Sequence, residues 1–220
     1  EKGKPVEGLL ADYLPGWISR IQGRRFMRWG KGDFRFSRPI RWIVSLIDSE
    51  ILPFSISGCD PEIEITNTSR PHRLHGSALE IKNAKTYYNQ LEDVGVRVDR
   101  DSRLSYINDL VLNYELNKKV KPDLTKPLLN ELTDLVEAPL LVTGGFEESF
   151  LDLPPEVLST VMKVHQRYIP IYKQNVEFDP LSLDSRNILL PSFLCISNGL
   201  SSAKENIVLG NEKVLKARFS

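Results

Sequence analysis

Two cations and an amide are predicted to share one face of a helix at residues 155–167. Pro155 lies at its start, where proline is tolerated in the first turn. At about 100° per residue, Lys163, Gln166 and Arg167 fall on the same side of this helix. Such a group suits the phosphate and sugar contacts that position an RNA backbone. A solvated helix face has the same pattern, and the residues alone favour that interpretation.

The opposite side of this helix is apolar apart from one histidine. Leu158, Val161 and Met162 share that side with His165. Because a histidine among core residues is more often a hydrogen-bonded core side chain than a base, we expect His165 to be buried. Tyr168 follows the helix and could either stack on a base or pack in the core.

A second basic cluster occupies a loop at residues 70–75. Arg70 and Arg73 could bind phosphate there, and loops on rigid scaffolds often carry function. His72 and His75 are three residues apart, but a zinc site needs three or four ligands, and the sequence contains no CxxC or HExxH. We therefore predict phosphate binding by the two arginines and no metal site. The alternative is an exposed loop whose cations form ion pairs with the acidic segment, residues 121–160.

Basic and aromatic residues alternate between positions 24 and 42. A groove for single-stranded or acceptor-end RNA needs this mixture of cations and stacking rings. A half-buried strand with a charged outer face has the same alternation, and the spacing favours the strand. The basic members are Arg24, Arg25, Arg28, Lys31, Arg35, Arg38 and Arg41, and the aromatic members are Phe26, Trp29, Phe34, Phe36 and Trp42.

The last residues, 210–220, form a helix-like run with a basic face. Lys213, Lys216 and Arg218 are candidate phosphate contacts, or they cover a helix whose packing partners lie elsewhere. The run has no cap or breaker after it, and the chain begins without Met. We expect both ends to lie inside a longer protein.

No catalytic constellation is recognised in the sequence. It contains no Walker P-loop, no GxGxxG fingerprint and no GxSxG nucleophile elbow. The adjacent acids Glu147 and Glu148 are typical of surface or helix-capping groups. We therefore predict no catalytic residue in this chain.

The composition is that of an ordinary globular chain, since 41% of the 220 residues are hydrophobic and 26% are charged. No apolar run approaches the ~20 residues that span a bilayer, and no signal-peptide pattern opens the chain. Cys59 and Cys195 are too few for a disulfide framework, so reduced thiols in a cytoplasmic protein are expected.

The net charge is zero, but the charges are unevenly placed. Residues 1–41 contain ten Lys or Arg and four Asp or Glu, whereas residues 121–160 contain two and eight. One basic face could attract phosphates while another face stays anionic. Alternatively the two segments could pair with each other, and the segment sums do not decide between these arrangements.

Helical and strand patterns alternate irregularly along the chain. They predict an α+β (mixed α/β) fold with a partly antiparallel sheet and packed helices. The charged loop at 118–126 suggests a single module, 1–220, with a possible division into 1–120 and 121–220. Helices are predicted at 6–21, 84–94, 101–117, 128–136, 155–167 and from about 201, strands at 40–47, 51–56, 78–81, 95–98, 140–143, 169–172 and 189–197, and a long loop at 174–187.

Four segments carry a family resemblance. They are Met27-Arg28-Trp29-Gly30 with Phe36-Ser37-Arg38-Pro39, Leu132 to Pro139, Phe146 to Pro170, and Gly210 to Ser220. They resemble the beta subunit of bacterial, heterotetrameric, class II glycyl-tRNA synthetase. A looser match at 70–76 departs from the family's usual Gly-His-Arg-Phe at Pro71 and Leu74.

The resemblance implies that the chain is the N-terminal or core part of such a beta subunit, within a cytoplasmic glycine–tRNA ligase. ATP and Mg²⁺ are then expected on the alpha subunit, with no cofactor in this chain. Expected partners are glycine tRNA, the alpha subunit and the rest of the beta subunit, but neither a membrane nor DNA. The fold is expected to be similar to the editing-type module of the phenylalanyl-tRNA synthetase beta subunit.

Within such an enzyme we predict a non-catalytic module that binds tRNA, helps to shape the heterotetramer and is inactive by itself. Two alternatives stay open, namely a hydrolytic editing module that acts on mischarged tRNA and a scaffold that binds only protein. The candidate tRNA contacts are Arg70, Arg73, Lys163, Gln166, Arg167, Lys213, Lys216 and Arg218.

Overall fold

The computed structural model describes residues 3–71, 76–174 and 188–220. The chain forms two compact units, Glu1–Val94 and Gly95–Ser220. Both contain helices and strands, and within the described ranges all but one of the strand pairs are antiparallel, which confirms the predicted α+β class.

The first unit, in its described residues, combines two helices with several two-stranded pairs. Helix α1 (Val6–Ser19) opens it, contains Pro15 and has no fully buried residue. Helix α2 (Tyr87–Asp93) closes it, after a 3-10 turn at Ala84–Thr86 that Asn83 caps by accepting a hydrogen bond from the Lys85 amide. The strands are β1 (Met27–Arg28), β2 (Arg35–Phe36), β3 (Trp42–Val44), β4 (Leu46–Ile47), β5 (Glu50–Ile51), β6 (Glu64–Thr66), β7 (Thr68–Ser69) and β8 (Leu79–Glu80).

The strands of this unit are short, with two or three residues each. Strand β1 pairs with β2, β4 with β5 and β7 with β8, all antiparallel, whereas β3 and β6 are parallel. The strand expected at 51–56 ends after Ile51, and Pro53, which cannot donate to a ladder, lies just beyond it.

The second unit is built on one four-stranded antiparallel sheet in the order β10-β12-β11-β9. Among the described residues, its strands are β9 (Val120–Pro122), β10 (Pro139–Gly145), β11 (Ile169–Lys173) and β12 (Leu189–Asn198). The helices of the same described part are α3 (Arg100–Lys118), α4 (Lys126–Leu135), α5 (Pro155–Thr160) and α6 (Lys204–Phe219). Short 3-10 turns lie at Glu148–Asp152 and Ser201–Ala203, and a π-helical turn lies at Val161–Gln166. The predicted loop at 174–187 lies, after Gln174, outside the described residues.

Helices cover both faces of this sheet and form a hydrophobic core on each side. The inner strand β12 contributes side chains to the two cores alternately. Phe193 and Cys195 belong to one core, whereas Leu194 and Ile196 belong to the other, as the two-residue period of a strand requires. The first core also holds Leu158, Met162, Leu215 and Phe219 from the α5 segment and α6, and the second holds Ile107, Val111, Leu128 and Leu132 from α3 and α4.

Residues 95–98, expected as a strand, form none. The guanidinium group of Arg103 donates hydrogen bonds to the carbonyl oxygens of Arg97 and Val98, and the Arg97 amide group donates to Glu137 O at 2.8 Å. A side chain therefore occupies acceptors that a neighbouring strand would use.

The division of the chain also differs from the suggested break at 120. Helix α3 packs on α4, β9 and β10, so residues 95–120 belong to the second unit. Asp99 caps α3 by accepting a hydrogen bond from the Ser102 amide at 2.7 Å, which starts the helix earlier than the sequence suggested.

Candidate nucleic-acid interface

The basic and aromatic segment of the first unit forms an antiparallel hairpin. Strand β1 pairs with β2 so that Met27 faces Phe36 and Arg28 faces Arg35. The ring of Phe36 lies 5.0 Å from Phe26 between centroids, and the aromatic residues are half-buried. The arginines and Lys31 are exposed. The segment does not form the half-buried strand that the spacing favoured, since each strand has only two residues and both residues of β1 are exposed. The alternation of half-buried rings and exposed cations is nevertheless present along the hairpin.

These cations are largely free of carboxylate partners. Arg28 lies 3.2 Å from Asp33, but the two side chains are 61% and 90% exposed, so the pair is weak. Within the described part of residues 20–41, no other Arg or Lys forms an ion pair. The hairpin therefore presents a surface of uncompensated positive charge, which attracts polyanions.

Two glycines allow two loops of this unit to approach each other with their backbones in contact. Gly30 has a φ of +69°, and a Cβ there would lie 1.7 Å from the carbonyl oxygen of Asp60. A Cβ on Gly32 would lie 2.1 Å from the carbonyl oxygen of Gly58, which also accepts a hydrogen bond from the Phe34 amide at 2.9 Å. Only glycine permits this approach.

A cavity of about 440 Å³ lies between these loops. The Trp29 indole N–H donates a 2.9 Å hydrogen bond to the carbonyl oxygen of Phe36, which fixes the ring in the cavity wall. The lining residues are Trp29, Gly30, Phe34, Pro39, Ile40, Arg41, Cys59, Asp60, Pro61, Glu62 and Ile63. Sequence reasoning missed the wall at 59–63, since only the folded glycine contacts bring it to the hairpin.

The basic loop after β7 is described only in part. Arg70 is exposed, and its guanidinium carbon lies 5.1 Å above the centre of the Trp42 ring, within reach of a cation–π interaction. Arg73, His72 and His75 lie outside the described residues.

Two of the three residues predicted to share a helix face are held in ion pairs. The ammonium group of Lys163 lies 2.6 Å from Asp123, and both side chains are 28% exposed. The guanidinium group of Arg167 lies 2.7 Å from Glu131. Gln166, between them, is half-buried. A phosphate would have to compete with carboxylates for these two cations.

The expectation that His165 is buried is wrong. It is exposed, because helix α5 continues as a π-helical turn at Val161–Gln166. The hydrogen bonds of a π-helix span five residues, so each residue turns the chain less than in an α-helix. A side chain three residues after the buried Met162 therefore does not return to the core side. The turn ends at Arg167, whose φ is +58°.

Besides its buried Leu215 and Phe219, helix α6 contacts the sheet through polar residues of the family-like segment at 210–220. Asn211 accepts a hydrogen bond from Tyr168, and Glu212 Oε1 accepts one from the Gly145 amide at 2.8 Å. Lys216 is paired with Glu147 at 2.5 Å. Lys213 and Arg218 are exposed and form no ion pair with any described residue.

Carboxylates of the acidic segment, residues 121–160, form several ion pairs within the second unit. Asp123, Glu131 and Glu147 pair with the three cations above, and Asp134 pairs with Arg100 at 2.7 Å. These four carboxylates therefore use cations of residues 95–220.

Nothing in the described part of the chain gathers three metal-ligating side chains. Nor is any helix of those residues long and apolar enough to cross a bilayer.

Comparison with known proteins places the chain in a family. The model of the glycyl-tRNA synthetase beta subunit family matches residues 1–220. The glycine–tRNA ligase beta subunit of Trichodesmium erythraeum is 41% identical over 220 residues, which cover 100% of this chain and 30% of that protein. The corresponding Bacillus subtilis subunit is 36% identical over 220 residues, which again cover 100% of this chain and 30% of that protein. The Listeria monocytogenes subunit is 40% identical over 196 residues, which cover 88% of this chain and 26% of that protein. The chain thus spans less than a third of these relatives, and it belongs to the glycyl-tRNA synthetase beta subunit family.

Proposed function

We propose that this chain serves glycine charging of tRNA as a non-catalytic module that binds tRNA in a cytoplasmic glycine–tRNA ligase. The observation that carries the proposal is the exposed, largely unpaired set of cations on the β1–β2 hairpin. Family membership supports the choice of tRNA, because the relatives are named as glycine–tRNA ligase beta subunits.

The hairpin offers both parts of an RNA-binding surface. Its exposed arginines can neutralise backbone phosphates and release condensed counterions, which dominates nonspecific affinity. Half-buried rings such as Phe34 and Trp29 lie between the cations and can support bases.

The other proposed contacts differ in how available they are. Arg70, Gln166, Lys213 and Arg218 can meet a phosphate without first losing a carboxylate partner among the described residues. Arg73 stays a proposed contact on the sequence alone. Lys163, Arg167 and Lys216 must exchange a carboxylate for a phosphate, so we expect them to contribute less affinity.

The rest of the enzyme supplies the chemistry in this proposal. We assign ATP and Mg²⁺ to the alpha subunit, and contacts with that subunit and with the rest of the beta subunit to this chain's architectural role. The fold is proposed to be similar to the editing-type module of the phenylalanyl-tRNA synthetase beta subunit, which its antiparallel sheet with packed helices supports.

The test is binding of glycine tRNA to the 220-residue chain across a salt titration. Replacing Arg24, Arg25 and Arg35 with Gln should make the logarithmic salt slope shallower by about three, or about one for each lost phosphate contact. The matched control replaces Lys118, Lys119 and Lys121 with Gln, which removes the same charge from exposed positions of the second unit.

An equal change of slope in both triple variants would show nonspecific attraction and overturn the assignment to the hairpin. Absence of binding at low salt would overturn tRNA binding by this chain. Hydrolysis of mischarged tRNA by the chain alone would overturn the non-catalytic role.

A further inference from the structure

We propose that the cavity between the β1–β2 hairpin and residues 59–63 receives one unpaired RNA base that carries an exocyclic amino group, with a neighbouring phosphate on Arg41. This inference rests on the proposed function, since it names the part of the RNA that the first unit holds. The ligand is a cytosine or purine nucleotide of a single-stranded stretch.

The cavity has a rigid frame. Gly30 and Gly32 hold its two loops in backbone contact, and the Trp29 ring is tethered to Phe36 O by its indole N–H. A site whose walls are fixed before binding loses little conformational entropy when the ligand enters. The volume of about 440 Å³ lies within the range of sites that bind small molecules.

The walls suit a flat heteroaromatic ring. Trp29 and Phe34 supply aromatic surface, and Ile40 and Ile63 supply aliphatic surface. Aromatic side chains stack on every base, because every base has a π face. Apolar walls therefore explain affinity for a base, but they do not distinguish one base from another.

The charged lining residues supply the distinction. Asp60 and Glu62 carry carboxylates, which only accept hydrogen bonds when ionised and so favour a base with an amino group. Arg41 brings a cation that can hold a phosphate. None of these three side chains forms an ion pair in the described part of the chain, so all three are available to a ligand. A cation, two acceptors and apolar walls together match a nucleotide better than a purely apolar ligand.

Alkylation of Cys59 reports whether a ligand occupies the cavity. Cys59 is one of the residues that line the cavity and is partly exposed, whereas Cys195 is buried in the core of the second unit. We expect a short oligocytidylate to slow alkylation of Cys59 by iodoacetamide at least about fivefold near saturation. An oligouridylate of the same length should protect at least about fivefold more weakly at equal concentration, because its base lacks the amino group.

Two variants test the assigned contacts. Trp29→Ala should lower the affinity for oligocytidylate by about fivefold or more, which is the smallest effect typical of a lost stacking ring. The affinity is measured as the oligocytidylate concentration that protects Cys59 from alkylation. Trp17→Ala, in α1 and outside the cavity, should leave that concentration unchanged. The double variant D60N/E62Q should bring the two oligonucleotides to similar affinity without abolishing either. If Trp29→Ala perturbs the fold, D60N/E62Q still tests the base preference. Asp60 and Glu62 are exposed, so replacing them should leave the fold intact.

The outcomes separate this inference from the proposed function. Salt-dependent binding of glycine tRNA with no protection of Cys59 by either oligonucleotide would overturn the base site and leave the tRNA-binding proposal standing. Equal protection by both oligonucleotides in the unaltered chain would overturn the amino-group preference. Protection by oligocytidylate in a chain that fails to bind tRNA would support the site and contradict the proposed function.

Discussion

The hydroxyl group of Tyr168 donates a hydrogen bond to the side-chain oxygen of Asn211 at 2.9 Å. The Tyr168 ring is 4% exposed and stacks on Phe193, with 4.5 Å between ring centroids. The Asn211 amide in turn lies 3.7 Å from the sulfur of Cys195. Two of the family-like segments, at 146–170 and 210–220, therefore meet inside the core. Of the two roles considered for Tyr168, the structure has the one in the core.

Removing this hydrogen bond should destabilise the second unit. Asn211→Ala leaves the buried Tyr168 hydroxyl without its acceptor, which costs about 1–3 kcal/mol of unfolding free energy. Tyr168→Phe removes the hydroxyl as well, so adding it to Asn211→Ala should cost little more. Chemical denaturation of the four proteins in this double-mutant cycle measures the coupling. Strictly additive losses would show that the contact contributes nothing.

The same core should weaken at alkaline pH. Burial, and secondly the charge of Cys195, raise the pKa of Tyr168 from 10.0 to about 12, and burial raises the pKa of the Cys195 thiol from 9.0 to about 11. The unfolded chain releases these protons at lower pH than the folded chain. The stabilisation is therefore complete below about pH 9 and is lost as pH rises through 11 and 12.

Urea unfolding at a series of pH values measures this loss. Tyr168 alone should account for at most about 2–3 kcal/mol, since one pKa unit corresponds to about 1.4 kcal/mol. Tyr168→Phe should make the alkaline fall shallower, whereas Tyr88→Phe, at a ring that is 57% exposed, should not. An unchanged fall in Tyr168→Phe would assign the alkaline loss to other groups.

A pair of glycines separates a packing requirement from helix propensity. A Cβ at Gly144 would lie 2.5 Å from the ring of Phe193, which is fully buried and cannot move aside. Gly144→Ala should therefore cost about 1–3 kcal/mol. Gly210 is exposed in the middle of α6 with open space around it, so Gly210→Ala should stabilise by about 0.5–1 kcal/mol. Thermal unfolding compares them, and destabilisation by both would contradict the packing argument.

Periodicity predicted α3, α4, β10 and β12 well because these elements are long and each buries a regular stripe. It missed β9 (Val120–Pro122), which lies within the predicted loop at 118–126, because three residues are too few to show a period. The alternation along β12 and the apolar faces of α3 and α4 are local patterns that burial then enforces. The same reasoning failed at His165, since a π-helical turn changes the angle per residue without a signal that the period reveals.

The candidate interface was predictable only in part. The alternation of cations and rings at 24–42 is visible in the sequence and indicates the exposed basic hairpin. The ion pairs of Lys163, Arg167 and Lys216 are not, because their carboxylate partners lie 36 to 69 residues away along the chain. The cavity depends on contacts between Gly30 and Asp60, and a glycine in a sequence does not say which backbone approaches it.

Gly30 should be indispensable to the cavity in a way that Gly58 is not. Both have positive φ, +69° and +79°, so any side chain strains the backbone at either position by about 1–2 kcal/mol. Only at Gly30 would a Cβ also meet backbone, with the Asp60 carbonyl oxygen at 1.7 Å, whereas at Gly58 the nearest atom is at an ordinary 3.5 Å. Because a carbonyl held in a loop cannot rotate away like a side chain, the two loops must separate.

Alkylation of Cys59 distinguishes the two variants. Burial raises the pKa of this thiol above 9.0, so separating the loops should lower that pKa and speed alkylation near pH 8. Gly30→Ala should therefore react faster than the unaltered chain and lose stability, while Gly58→Ala should lose only the strain energy and keep the original rate. Equal rates in the three proteins would show that the glycine contact does not hold the cavity wall in place.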